Sequence, residues 1–246
     1  MRVRVLLFGV LKEQLGAAAK TIELPDGASV AGLLECVLAS RPMLALKSLA
    51  VSVNGEFATS SQVLHEGDEV GLLPPVSGGA SPPGEASGEM SSDRSGAVTF
   101  TRSPILFAEV VAQAKQPEDG AVVVFDGIVR NQTRGSEVLY LDYEAYEEMA
   151  LREMRRLAQE ARERFGVRNV SVVHRLGRIE IGESSILIVV ASAHRAQAFD
   201  ACRWLIDAIK TTVPIWKRET FADGAVWADG EPFPPEVSIA AKLAEK

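Results

Sequence analysis

The sequence predicts an α+β protein of two domains joined by a linker, and three observations predict it. A stretch reading SGGASPPGEASGEMSSDRSGA, from Ser77 to Ala97, carries one Met and otherwise only small residues, Pro, Gly and a few charges, so it cannot anchor a core. Strand-like alternation and helix-like stripes are mixed on both sides of it. Hydrophobic residues make up 47% of the 246 positions and charged residues 24%, which supplies a core to each side and excludes a wholly disordered chain. The division places a first domain at 1–79, a flexible linker at 80–97 and a second domain at 98–246, with no internal repeat between the halves.

In the first domain, Arg2–Phe8 alternates as a strand, and Thr21–Leu24 forms a second one ending at Pro25-Asp26-Gly27. Ser29 is placed to cap a helix whose Val30, Leu33, Leu34, Val37 and Leu38 make one apolar stripe, stopped before Pro42. Asn54-Gly55 between Ala50–Val53 and Glu56–Phe57 is a strong hairpin signal. Glu69–Leu73 is the last strand. The order ββαββ predicts a small sheet wrapped over a single helix, with a tail Pro74-Pro75-Val76-Ser77-Gly78-Gly79.

In the second domain, Ala121–Val129 reads as a buried strand that runs into the turn Arg130–Gly135 and pairs with Val138–Tyr146. A helix from Glu147 to Phe165 carries Ala150, Met154, Leu157, Ala161 and Phe165 on one face, and Gly166 ends it. Val170–Arg175 and Ser185–Ala191 are strands. His194-Arg195 opens a second helix with Phe199, Cys202, Ile206 and Ile209 inward, which stops near Pro214. Ile215–Phe221 and Ala225–Trp227 close a hairpin around Asp223-Gly224.

The formal charge of −7 argues against a nucleic-acid binder, although it leaves room for a local basic pocket. Cys36 and Cys202 lie far apart with no CxxC or Cys/His ligand spacing, so neither a disulfide framework nor a metal site is expected. Lys12 and Glu13 break the apolar run after Arg2 and Arg4, against a targeting peptide, and no stretch approaches the ~18 apolar residues of a membrane span. The expectation is a cytoplasmic protein without nucleic-acid or membrane partners. Trp204, Trp216 and Trp227 read as packing or dimer contacts, and His65 as a solvated turn residue.

Two features carry chemistry. In the tail, two prolines stiffen the exit from a strand and two glycines leave a backbone without bulk, which can thread a narrow slot and present a terminal carboxyl group. Spacing alone favours the plainer reading, in which Gly-Gly merely opens the linker. The second feature is the basic set Arg130, His194, Arg195, Lys210, Lys217 and Arg218, at strand and helix ends of an acidic chain. His194-Arg195 sits at a helix start, where free N–H groups favour an anion. Taken singly, each of these cations reads first as a surface charge, as Arg203 beside Asp207 does.

As strings, these segments are specific. Residues 1–79 resemble ubiquitin-like sulfur carriers, above all the small subunit of molybdopterin synthase. Asp126–Asn131, Ser192–Arg195 and Lys210–Glu219 resemble the large subunit of that enzyme, in order, over most of residues 98–230. The chain is thus similar to a fusion of both subunits. The resemblance implies an N-terminal β-grasp (ubiquitin-like) domain linked to a C-terminal α/β hammerhead-type domain. It implies a sulfurtransferase of molybdenum-cofactor synthesis that uses no cofactor and acts on cyclic pyranopterin monophosphate. It implies Gly79 as the sulfur-bearing residue, Ile128, Val129, Arg130, His194, Arg195, Lys210, Lys217, Arg218 and Glu219 around the substrate, and Lys210 and Lys217 in catalysis. An ATP-dependent adenylating and sulfurating enzyme would act on Gly79. Because Gly79 continues into Ala80, a protease would first have to cut after it.

Rival readings are a ubiquitin-like interaction module on an anion-binding domain without turnover, and a sulfur carrier for another pathway. His194-Arg195 and Lys210 lie at opposite ends of one expected helix, about 22 Å apart at 1.5 Å per residue. A homodimer through the second domain would bring such ends together across a twofold axis. A break near Arg203 would do so within one chain, but no Pro or Gly supports one.

Overall fold

The computed structural model describes residues 1–39, 49–76, 96–228, 230, 233, 234 and 238. Gly79 and most of the expected linker, residues 80–95, lie outside the described residues. The chain divides into two compact units, Met1–Ser77 with Asp229–Lys246, and Gly78–Ala228. This departs from the expected boundaries at one place: the described residues after Ala228 pack with the first unit, not with the second.

In the first unit, β1 (Arg2–Leu7), β2 (Ala19–Glu23), β3 (Ala50–Val53), β4 (Glu56–Phe57) and β5 (Glu69–Leu73) form one sheet in the order β2-β1-β5-β3-β4. The pair β1–β5 is parallel and its neighbours are antiparallel. Val3, Val5 and Leu7 alternate inward from β1 and bury against Val30, Leu33 and Leu34 of α2 (Val30–Ala39). Ser29 begins α2 as expected, its hydroxyl accepting the Gly32 N–H at 3.4 Å. Asn54 and Gly55 adopt φ of 52° and 79°, the left-handed pair that a two-residue hairpin turn requires. A mixed sheet curled over one main helix is the β-grasp arrangement. The expected single helix is corrected by a second, α1 (Gly9–Leu15), whose seven residues are too few to show a stripe.

The second unit holds two four-stranded sheets. The first has the order β6 (Val98–Thr101), β11 (Asn169–Arg175), β13 (Ser184–Ser192), β7 (Ala121–Ile128). Along β13, Ile186, Ile188 and Val190 face α4 (Glu147–Phe165) and α5 (Arg195–Thr212), while Leu187 and Val189 face α3 (Phe107–Ala114). Burial on both faces explains why this strand is a continuous apolar run. The second sheet has the order β12 (Gly177–Glu180), β10 (Tyr140–Ala145), β14 (Ile215–Phe221), β15 (Gly224–Trp227).

Three expectations are corrected here. The 138–146 strand does not pair with 121–129: β7 pairs with β13, and β10 pairs with β12 and β14. Between them the chain makes a hairpin of its own, β8 (Gln132–Thr133) and β9 (Ser136–Glu137), around Arg134 and Gly135 at φ of 50° and 85°. That turn carries the chain from one sheet to the other. Phe199 is 62% exposed: the buried arc of α5 is centred on Ala198, Leu205 and Ile209, and at about 100° per residue position 199 falls just beyond its edge at Ile206. Finally, α3, β6 and β12 join the two helices and the strands expected in this unit. No helix among the described residues is long and apolar enough to cross a membrane.

His174 of β11 is buried between the edges of Tyr143 and Phe100, with ring centroids 5.1 and 6.1 Å away. Its Nδ1 lies 2.9 Å from the Arg175 carbonyl oxygen, which can only accept, so the neutral ring carries its proton there. Burial pushes the imidazole down from 6.5 to about 4. The unfolded chain therefore binds a proton that the folded chain refuses between those values. Stability from this site is full above pH ~6.5 and is lost as pH falls toward ~4, by an amount on the order of 3 kcal/mol. Urea unfolding at pH 7 and pH 4.5 should show His174→Phe losing about 2–3 kcal/mol less on acidification than the wild type. Equal acid losses in the two proteins would contradict this account.

Candidate active site

Strand β14 organises the site, because alternation along it separates two sets of side chains. Lys217 and Glu219 share one face, and the Lys217 ammonium lies 3.3 Å from Glu219 Oε1. The pair is largely withdrawn from water, with side chains 29% and 8% exposed. Glu219 also accepts the Thr133 hydroxyl at 3.4 Å, which ties the β8–β9 hairpin to the pair. Arg218 faces the other way, 3.7 Å from Asp142 and 5.9 Å over the Trp227 ring. The structure thus brings Lys217 and Glu219 together and sets Arg218 apart from them on the opposite face.

Tyr143 of β10 stands opposite Lys217 in the ladder. Burial raises its phenol, the Ser185 hydrogen bond partly offsets this, and the Glu219 charge raises it further. Ser185 in turn donates to the Gly127 carbonyl at 2.8 Å, where the β7–β13 register shifts. These contacts join the end of β7 to the Lys217–Glu219 pair. Ile128 is exposed there, as is Arg130, whereas the Val129 side chain is buried with Val138, Leu141 and Ile179. Its backbone is engaged as well, the N–H donating to the Glu183 carbonyl at 3.0 Å and the carbonyl accepting from the Gly182 N–H at 2.8 Å. Thr133, Tyr143 and Ser185 are the site residues that sequence reading missed. Their hydroxyls gain meaning only from partners that are distant in sequence.

His194 and Arg195 lie elsewhere. Ser192 pairs with Ala121 and Ser184 pairs with Ile128, so the strands separate the α5 entrance from the Ile128–Arg130 end by about 25 Å. His194 is the N-cap of α5, with extended backbone at φ −131° and ψ 141° and no side-chain capping bond. The first N–H groups of the helix are thus left to water or an anion. Lys210 is exposed in the last turn, one helix length away. The 18 residues of α5 run unbroken, about 27 Å, so the break near Arg203 is not there. Arg203 itself is a solvated cation 4.0 Å from Asp207.

Gly79 lies outside the described residues. Among the described residues, no group of three or more His, Cys, Asp or Glu side chains could hold a metal ion. Cys202 is buried and its thiol is pushed up to about 11, which removes it as a nucleophile at neutral pH.

The family model described as "MoaE protein" matches residues 100–212, and that of the "ThiS family" matches residues 5–79. A molybdopterin synthase catalytic subunit of Pyrococcus abyssi is 42% identical over 127 residues, covering 52% of this chain and 86% of the relative. The chain belongs to the molybdopterin synthase catalytic-subunit family. A second member, from a Nostoc species, is 44% identical over 130 residues, covering 52% of this chain and 78% of its own. The crystal structure of molybdopterin synthase from Staphylococcus aureus superposes with a TM-score of 0.51 at 38% identity, covering 53% of this chain and 95% of that one. Membership places the chain in molybdenum-cofactor biosynthesis. The matched family region contains Ile128–Arg130, His194, Arg195 and Lys210, while Lys217, Arg218 and Glu219 follow it on β14.

Proposed function

We propose that this chain is a molybdopterin synthase that carries its own sulfur donor and acts in the cytoplasm. One observation carries the reading: a ThiS-family region ending at residue 79 precedes a catalytic-subunit region in a single polypeptide. A cut after Gly79 frees its carboxyl group, an ATP-dependent partner adenylates it, and sulfuration turns it into a thiocarboxylate. The thiocarboxylate gives its sulfur to cyclic pyranopterin monophosphate, and two such transfers build the dithiolene of molybdopterin.

The residue roles follow from chemistry. Arg130 and Arg195 suit bidentate contacts to phosphate, and the uncapped N-terminus of α5 adds N–H donors beside His194. The exposed His194 imidazole offers ring nitrogens for hydrogen bonds to the substrate. Lys210 and Lys217 stabilise negative charge as the cyclic phosphate opens and the carrier carboxylate leaves. Glu219 holds the Lys217 ammonium in place, Ile128 borders the pocket, and Arg218 supports β14 from its other face.

The length of α5 supports a homodimer of catalytic units in which His194 and Arg195 of one protomer complete the pocket of Lys210 and Lys217 in its partner. A His194→Ala/Arg195→Ala chain and a Lys210→Ala chain should each lose on the order of 10²–10³ in rate. Mixed dimers of the two should regain activity, because each contains one intact pocket. Parental activity after verified subunit exchange would remove the shared pocket.

The maturation step has its own test. Intact-mass measurement on protein from its native cells should find a fragment ending at Gly79, at the start of a stretch of small residues. Only full-length chain, in cells with working molybdenum enzymes, would show that another carrier supplies the sulfur.

A further inference from the structure

The chain leaves the catalytic unit at Ala228, and the next described residues belong to the carrier unit. Three contacts hold them there. Gly230 lies so close to Pro75 that a Cβ at this position would collide with the Pro75 carbonyl group and ring. Phe233 is 2% exposed and meets the Phe57 ring edge-on, with centroids 5.7 Å apart at 68°. Ser238 forms an antiparallel bridge with Ala50. That bridge has a structural reason: β4 pairs with Ser52 and Val53 of β3, which leaves the Ala50 edge of the strand open on that side. A fully buried aromatic, a backbone approach that admits only glycine and a strand-edge pairing make a docked segment rather than a loose end.

We infer that this segment, through Gly230, Phe233 and Ser238, is a strap that retains the carrier unit after the linker is severed. The inference rests on the reading that the chain is cut after Gly79. A cut there breaks the covalent path through the linker and leaves the carrier as a separate fragment. The strap remains covalently part of the catalytic fragment while it is docked on the carrier fragment. The carrier is then held in a high effective concentration without a peptide bond, and its glycine carboxyl is free for activation. The Gly230 contact falls on Pro75, four residues before Gly79, so the strap grips the base of the tail.

The test uses the full chain with a site for a specific protease inserted between Gly84 and Glu85. After complete cleavage, gel filtration should show both fragments of the wild-type chain in one peak. Gly230→Val inserts a side chain against Pro75 without touching the carrier core, and Phe233→Ala removes the buried ring. In both, the carrier fragment should leave the complex and elute alone. Circular dichroism and thermal melting of the uncut variants check that the carrier unit still folds, and if Phe233→Ala fails that check, Gly230→Val decides. Separation of the wild-type fragments, or co-elution of the fragments in the folded variants, would overturn the strap. Because the cut is engineered, this result is independent of whether native cells process the chain. A strap that holds in a chain never cut in its own cells would refute the maturation reading alone.

Discussion

An unbroken α-helix has a fixed length, and the arrangement of this catalytic unit depends on that constraint. Each residue of α5 adds about 1.5 Å, and nothing between Arg195 and Thr212 bends or interrupts the ladder. The helix is held rigid by the row Ala198, Ala201, Leu205 and Ile209 packed on β13 and β7. Small residues in that row let the helix lie close to the sheet. His194 and Arg195 at its N-terminus and Lys210 at its C-terminus therefore cannot converge within one protomer. Either the two ends serve different ligands or a second copy completes the pocket. The proposed function takes the second course, because one small substrate needs both an anion clamp and cationic stabilisation of its opening phosphate.

The Lys217–Glu219 pair is the other constraint. A carboxylate as buried as Glu219 is costly to hold charged without a partner, and here the Lys217 ammonium and the Thr133 hydroxyl both meet it. The pairing fixes an otherwise flexible lysine on a rigid strand, and the hairpin that bears Thr133 is fixed with it. Tyr143 and Ser185 extend the same set of contacts to the end of β7. Preorganisation of this kind lets a cation act on developing charge without first being reoriented. Arg218, one residue away but on the opposite face, is instead engaged with Asp142 and Trp227.

Local signals in the sequence were strong where one turn or cap decides an element. The helix Glu147–Phe165 ends at Gly166 with φ 64°, the Asn54-Gly55 hairpin forms, and Ile215–Phe221 is a strand of the expected extent. Period-two alternation reveals which face of a strand is buried but not which strand lies beside it. For that reason the pairing of β10 with β12 and β14 is not readable from its alternation. Phe199 shows a similar limit for helices: an i, i+3 stripe fits two adjacent arcs, and only packing selects between them. Of the candidate site, Lys217 was legible as one cation of an acidic chain, although its placement against Glu219 and away from Arg218 was not. The hydroxyls of Thr133, Tyr143 and Ser185 were not, since nothing in their local sequence distinguishes them. The docking of Phe233 on Phe57 joins residues far apart in the chain, and no periodicity reports it.

The central claim is that sulfur passes from the chain's own first unit to a pterin held by its second. It is tested most directly by loading the cut protein with a labelled thiocarboxylate at Gly79 and adding cyclic pyranopterin monophosphate in a single turnover. The account predicts that label leaves the carrier fragment and appears on the pterin at the same rate, one sulfur for each carrier consumed. Label that stays on the carrier fragment while the pterin is bound would contradict it.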